Sequence, residues 1–133
     1  MRHFLLAGAS VRIGLPGGEL GLPWMLAADV EAALPPGTVP DLAGYAADRA
    51  AQGDPQFCCA VSDGSLQVFV DPILVAGIVQ QLAESEQLPE NTLGEMARSY
   101  AHAAVSVGDD DPEYGRWLFL HAGLIGAQPG GSA

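Results

Sequence analysis

The strongest constraint on the fold is a pair of apolar segments that flank the dipeptide Asp63-Gly64. Residues 57–62 and 66–70 are rich in β-branched and aromatic side chains, and apolar residues of the second segment alternate along one face. Glycine accepts a positive φ, so an Asp-Gly pair between two such segments suits a tight turn. The sequence therefore predicts a β-hairpin, and with it an antiparallel sheet.

Helices are predicted on both sides of this hairpin. Residues 72–85 place apolar side chains on one stripe and begin after Asp with a proline, the pattern of a helix with proline in its first turn. Before the hairpin, residues 24–34 predict a short amphipathic helix that stops at a proline pair. Asp41 is a suitable N-cap for a further helix over residues 41–52.

The C-terminal third predicts a helical hairpin. Thr92 and Glu95 have the spacing of a capping box, and the apolar period that follows continues to Gly108. Asp111, followed by a proline, predicts the cap of a last helix over residues 113–127. That helix is apolar on nearly all sides, so we expect it to be central to the core.

The remaining N-terminal segments complete the predicted fold. Residues 3–13 predict a largely buried strand, and the glycine- and proline-rich residues 14–23 predict a loop. The order of elements mixes antiparallel pairing with grouped helices, which is typical of the α+β class. We expect a small, mainly antiparallel sheet of about three strands packed against about five helices. One domain is predicted over residues 1–126, with a flexible tail over 127–133.

Acidity is the compositional feature that bears most on function. Asp and Glu number 16 against five Arg, with no Lys, and the formal net charge is −11. Nucleic acids and anionic membrane surfaces are bound by basic patches, which so few arginines do not supply. We therefore predict neither as a partner, and expect a protein partner of basic character instead.

The cysteines and the N-terminus predict a cytoplasmic protein. Cys58 and Cys59 are adjacent in a predicted strand and would point to opposite faces, which disfavours a bond between them. A chain without a disulfide framework suits a reducing compartment. The apolar run over residues 4–9 is too short for an export signal or a membrane span.

Motifs that would identify an enzyme are absent from the sequence. It contains no H-E-x-x-H, G-x-S-x-G or C-x-x-C pattern, and its glycine-rich loop matches neither nucleotide-binding spacing. We therefore expect no cofactor. The leading prediction is a non-catalytic, acidic protein-binding domain, such as an inhibitor or immunity-type protein, a small chaperone or an adaptor, that recognises a basic protein.

The alternative prediction is a small cofactor-free enzyme or ligand-binding protein with an apolar pocket near His121. On the last helix, His121 shares or neighbours a face with Tyr114 and Trp117, and Tyr100 and Arg116 complete the candidate pocket. A histidine beside aromatic rings can act as a general base, so His121 is the one catalytic candidate. A histidine in such a place is also often a core residue bonded to one carbonyl.

The candidate partner-binding segment is the acidic run Asp109, Asp110 and Asp111, together with Glu113. Carboxylates at the start of a helix are equally explained by capping and by the helix dipole. The run lacks the alternating ligands, central glycine and distant glutamate of a calcium-binding loop, so we predict no metal site. A homodimer or larger homo-oligomer is a third interpretation, because the apolar last helix and the sheet edges need covering.

Overall fold

The protein has an α+β fold, as predicted, but its sheet has five strands instead of about three. The structure is a computed structural model that describes residues 2–16, 21–62 and 64–121. In chain order its elements are β1 (His3–Leu6), β2 (Ala9–Gly14), β3 (Trp24–Leu26), α1 (Ala27–Ala33), α2 (Leu42–Ala51), β4 (Phe57–Ser62), β5 (Ser65–Val70), α3 (Pro72–Glu84), α4 (Thr92–Asp110) and α5 (Pro112–Leu120). All strand pairs are antiparallel, in the order β1-β2-β3-β5-β4.

The first additional strand arises because residues 3–13 form a hairpin, and the prediction of one strand there was wrong. Ala7 and Gly8 both have positive φ, at 51° and 84°, and they connect the paired residues Leu6 and Ala9. Two consecutive positive φ angles define the tight turn whose twist matches antiparallel strands. An Ala-Gly turn inside an apolar run gives only a weak sequence signal, since alanine is uncommon in this conformation.

The second additional strand is β3, where a helix was predicted from residue 24. Met25 pairs with Ile13 of β2 on one side and with Val70 of β5 on the other. Backbone pairing with two neighbours therefore overrides the helical pattern of this segment, and the helix begins only at Ala27. Residues 17–20 of the predicted glycine-rich loop lie outside the described residues, so that prediction is not tested.

The β4–β5 hairpin forms as predicted. Its register runs from Phe57↔Val70 to Ser62↔Ser65 without interruption, which leaves two residues for the turn. Gly64 has φ +79°, the conformation for which the glycine was expected. Position 63 of the turn lies outside the described residues.

The two predicted aspartate caps, Asp41 and Asp111, are confirmed, Asp71 is a third cap, and one predicted capping box is wrong. Asp41, Asp71 and Asp111 each accept a backbone N–H from the first turn of the helix that follows. At α4 the N-cap is Asn91, whose side chain makes no capping bond to the backbone. Its amide instead donates to the Glu95 carboxylate, 2.8 Å away. Thr92 lies inside the helix and is buried, so it is not the N-cap that the capping box requires.

Helices α4 and α5 form the predicted helical hairpin, with two corrections. Helix α4 continues past Gly108 to Asp110, since this glycine serves close packing and not helix termination. A β-carbon on Gly108 would lie 2.9 Å from the Cα of Gly115. Helix α5 is buried on one side only: Tyr114 and Leu118 lie in the core, whereas Phe119 and Leu120 are 65% and 71% exposed. The predicted helix beyond His121, the domain end at 126 and the flexible tail lie outside the described residues.

The hydrophobic core lies between one face of the sheet and the helices. Paired positions place Ile13, Met25 and Val70 on the same face, and all are buried. These pack with buried residues from every helix, which include Val30, Ala46, Val75, Val79, Met96, Tyr100, Ala104, Tyr114 and Leu118. Because the helices are packed on the sheet, the turns that connect them, where the candidate sites lie, are held in place.

Candidate functional site

Three members of the predicted pocket near His121 form a column of stacked rings on α5. Tyr114 and Trp117 stack with ring centroids 5.8 Å apart, and Trp117 and His121 stack at 4.5 Å. The spacings of three and four residues place the rings one above another on the same helical face. Of the other two candidates, Arg116 is exposed and Tyr100 lies on α4.

The hydroxyl groups of Tyr100 and Tyr114 are used inside the fold. Tyr100 donates to the Pro23 carbonyl oxygen at 2.7 Å, and Tyr114 donates to the Gly21 carbonyl oxygen at 2.8 Å. Burial raises the pKa of Tyr114 to about 12 and raises that of Tyr100 still further, because the ionised phenolate would lose its hydration. Both groups thus stay neutral donors that hold the segment leading into β3.

His121 occupies the C-terminal end of α5 and is exposed. Its Nδ1 lies 2.8 Å from the Trp117 carbonyl oxygen, and since a carbonyl only accepts, Nδ1 carries the proton. The other ring nitrogen, Nε2, does not take part in this hydrogen bond to Trp117. A role for His121 as a base stays a prediction, since the concave sites described below are lined by other residues.

Two of the four predicted partner-binding carboxylates make contacts within the protein. Asp110 accepts two hydrogen bonds from the Arg2 guanidinium, at 2.9 and 3.0 Å, and this guanidinium lowers the pKa of the Asp110 carboxyl. Asp111 accepts from the backbone N–H of Glu113 and Tyr114 and so caps α5. Asp109 is exposed beside them. Partner binding by this segment stays a prediction.

A candidate site that the sequence analysis missed surrounds the turn between α3 and α4. Residues 85–91, which we call the 85–91 turn, are flanked by two grooves of about 850 and 480 Å³. Leu88 and Pro89 line both grooves, and Leu88 is 8% exposed. This pair therefore forms an apolar ridge between two concave surfaces, on which Pro89 is exposed and Leu88 is mostly buried.

Glutamates line both grooves. Glu84, Glu86 and Glu90 line the larger groove and Glu95 lines the smaller one, where the Ala7-Gly8 turn and the Pro35-Pro36 pair form the opposite wall. Among the described residues that line the grooves none is basic. The amides of Gln80 and Asn91 donate to Glu84 and Glu95 at 3.1 and 2.8 Å, which orients these two carboxylates. Carboxylates therefore lie on both sides of the apolar ridge.

Backbone hydrogen bonds determine the shape of the 85–91 turn. The N–H of Glu86 donates to Ala83 and that of Gln87 donates to Leu82, the paired bonds of a Schellman motif at the end of α3. The left-handed position of this motif usually holds glycine, but here Glu86 occupies it with φ 61°. A glutamate in this conformation is strained by roughly 1 kcal/mol relative to glycine. The density of acids in residues 84–90 was the available sequence signal for the site.

A smaller pocket of about 290 Å³ lies between α2, the start of β4 and α3. Its walls are mostly apolar and include Phe57 and Tyr45, whose rings meet edge to face at 5.6 Å. The Arg49 guanidinium lies over the Tyr45 ring at 5.9 Å and forms an ion pair with Asp54 at 2.7 Å. The pocket therefore combines an aromatic wall with a single pair of opposite charges, as small-molecule sites commonly do.

Three further findings concern metal ligands, membrane-spanning helices and similarity to known proteins. Within residues 2–16, 21–62 and 64–121, no group of three or more His, Cys, Asp or Glu side chains is arranged to hold a metal ion. No helix in the described part of the chain has both the length and the apolar character for a membrane crossing. Comparison with protein-family models, curated proteins and solved structures gave no match to this chain.

Proposed function

We propose that this chain is a non-catalytic protein-binding domain that docks a basic segment of a partner protein in the two grooves beside the 85–91 turn. The observation that carries the proposal is the combination of an apolar ridge, Leu88 and Pro89, with glutamates on both sides of it. Apolar contact supplies affinity that charge alone does not, and complementary charge selects a basic partner.

The electrostatic argument rests on how the charges of the chain are distributed. Three of its five arginines form ion pairs with aspartates of the same chain, at Arg2, Arg12 and Arg49. The chain has a net charge of −11, and its remaining cations compensate the negative electrostatic field only in part. The groove glutamates add to this field. Such a field accelerates association with a basic partner and is screened by salt.

Glu86 supports the proposal in a separate way. A left-handed conformation is unfavourable for glutamate, and a strained residue beside a groove motivates the hypothesis that its side chain has a role there. Replacing Glu86 by glycine should relieve the strain and remove a groove carboxylate in one step. We expect Glu86→Gly to raise the free energy of unfolding by roughly 1 kcal/mol and to weaken partner binding.

The experiment uses a fluorescein-labelled peptide of alternating arginine and leucine as the basic probe, with fluorescence anisotropy as the readout. The wild-type protein should bind this peptide and should not bind a glutamate-leucine peptide of the same length. Each groove carboxylate that is neutralised should weaken binding by roughly two- to fivefold. Glu86→Gln with Glu90→Gln tests the larger groove.

The matched control is Asp109→Asn with Glu113→Gln, which changes the net charge equally at the segment that the sequence predicted. If only the groove variant weakens binding, the proposed site is supported. If the control variant weakens binding and the groove variant does not, the acidic run at α5 is the binding surface. Equal small effects from both variants would mean that net charge alone attracts the peptide, and the groove proposal would be wrong.

A second candidate function, the binding of a small ligand, is favoured by the pocket at Tyr45. This pocket differs in place from the one predicted near His121, and it offers an aromatic wall and the Arg49–Asp54 ion pair. A small apolar ligand with one polar group matches that lining. Nuclear magnetic resonance with indole and benzoate as probes tests it. Shifts confined to the pocket and abolished by Tyr45→Ala support the candidate, and their absence rules it out for these ligand classes.

A further inference from the structure

The two edges of the sheet differ in how they are covered. At the β1 edge, the outward N–H of Leu5 donates to the Ser99 hydroxyl of α4 at 2.8 Å, and α4 packs along this strand. At the other edge, β4 pairs with β5 and with no further strand among the described residues. The first edge is therefore covered by α4. Helix α2 contacts β4, with Tyr45 against Phe57 at its start, but Cys59 and Val61 further along the strand are exposed.

The alternation of the hairpin ladder identifies which backbone groups β4 presents. The N–H of Asp71 donates to the carbonyl of Gln56, so this pair and every second pair after it exchange hydrogen bonds within the hairpin. The groups of residues 57, 59 and 61 consequently point away from β5. The N–H of Phe57 donates to the Asp54 carbonyl at 3.2 Å, which leaves Cys59 and Val61 as the positions with both groups directed outward. The Cys59 carbonyl also accepts a weak contact from the Cys58 thiol at 3.7 Å, which leaves one of its two lone pairs for a partner strand.

The side chains at this edge are apolar and exposed. Val61 is 75% exposed and its cross-strand partner Leu66 is 69% exposed, and Cys59 is exposed on the same face. The strands β4 and β5 contain no charged residue, although the chain carries a net charge of −11. Proteins usually protect an exposed edge with a lysine, a proline or a bulge, and β4 has none of these.

We propose that β4 is a self-association site, at which two copies of this chain pair antiparallel and join their sheets. A second copy is the occupant that the charges favour, because a basic partner gains nothing from an uncharged strand. Two highly acidic chains also repel each other least where both are neutral. This interface is independent of the proposed function, since the groove beside the Ala7-Gly8 turn lies near the opposite edge of the sheet.

The available backbone groups select one register for this pairing. A two-fold axis at Ala60 places Cys59 of each copy opposite Val61 of the other, so that four hydrogen bonds form without competition from Asp54. The two copies of Ala60 then form a non-hydrogen-bonded pair, with Cα atoms about 4.5 Å apart. That separation lies within the range that a disulfide spans, which gives the proposal a geometric test.

The first experiment is analytical ultracentrifugation over about a hundredfold range of protein concentration, with and without added salt. The wild-type protein should shift from monomer toward dimer as concentration rises, and salt should favour the dimer by screening the repulsion. Val61→Lys should raise the dimer dissociation constant by about tenfold or more, since it places charge in a neutral, desolvated strand pair. The matched control, Ile73→Lys, changes the net charge equally at a side chain that is 69% exposed on α3.

The second experiment tests the register by disulfide formation in a glutathione redox buffer. In a background with Cys58→Ala and Cys59→Ala, Ala60→Cys should form an intermolecular disulfide faster than Ile73→Cys does, at equal concentration. Circular dichroism verifies that each variant is folded. A wild-type protein that stays monomeric at every concentration and salt would overturn the proposal, as would equal effects of the two lysine variants. A dimer without preferential linkage at position 60 would refute the proposed register.

Discussion

Two tyrosine hydroxyls hold the segment before β3, and we expect their removal to lower the free energy of unfolding by different amounts. Tyr100→Phe removes a hydrogen bond whose donor and acceptor are both buried, so the Pro23 carbonyl is left without a partner. Tyr114→Phe removes the corresponding bond to Gly21, whose carbonyl is only partly buried and can turn to water. An unsatisfied buried acceptor costs about 1–3 kcal/mol. We expect losses of about 2–3 kcal/mol for Tyr100→Phe and about 1 kcal/mol for Tyr114→Phe.

Urea unfolding followed by circular dichroism measures these losses, with Tyr45→Phe as the control because its side chain is 53% exposed. The double variant Tyr100→Phe with Tyr114→Phe should lose less than the sum, because both hydroxyls hold the same short segment. A loss for Tyr114→Phe as large as that for Tyr100→Phe would contradict the burial argument. Losses near zero for both would mean that these two hydrogen bonds contribute little to the free energy of unfolding.

The same tyrosines make stability sensitive to alkaline pH. The pKa of both groups is raised in the folded protein above the ordinary value of 10, and that of Tyr114 is raised to about 12. Their contribution is therefore complete below pH 10 and is lost as the pH rises through the folded values. We expect the free energy of unfolding to fall between about pH 10 and 12, and to fall less steeply in Tyr100→Phe with Tyr114→Phe. An unchanged slope would contradict the assignment.

Four further substitutions test the packing, one ion pair and one helix cap. Gly108→Ala should destabilise the protein by about 2 kcal/mol, because the new β-carbon would lie 2.9 Å from Gly115. Gly77→Ala should stabilise it by about 1 kcal/mol, because a β-carbon there meets nothing within 4 Å. Thermal unfolding distinguishes the two signs. Hydrogen bonds from Arg12 lower the pKa of Asp29, so Arg12→Ala should lessen the loss of stability as pH falls below about 4, measured by acid titration. Asp71→Ala should cost about 1 kcal/mol through the lost cap of α3, measured by urea unfolding.

Local signals in the sequence predicted the parts of the fold that depend on near neighbours. The turn of the β4–β5 hairpin, the caps at Asp41 and Asp111, and the prolines that begin α3 and α5 each act within a few residues, and each is where the sequence placed it. Strand β3 was missed because three residues between two strands are held by partners far along the chain. The exposure of Phe119 and Leu120 was missed for a similar reason, because an apolar sequence does not show which elements pack against it.

The candidate site was harder to predict than the fold. A groove forms only when separate elements pack together. The walls of the two grooves come from α3, α4, the β1–β2 turn and the segment after α1. The sequence identified an acidic run of four residues, but Asp110 and Asp111 are used by Arg2 and by a helix N-terminus. The carboxylates at the grooves are spread over a longer stretch, where composition gives a weaker signal.

The two proposed interactions, groove docking and β4 pairing, should respond to added salt in opposite directions. Docking of a basic segment at the groove glutamates is attractive, so screening should weaken it. Pairing of two β4 strands brings together neutral surfaces on chains that repel each other, so screening should strengthen it. Both responses belong to one chain with net charge −11, because the charges are distributed unevenly over its surface. A single salt titration that follows peptide binding and dimer formation together should therefore move the two equilibria in opposite directions. If both move in the same direction, at least one surface is assigned to the wrong kind of partner.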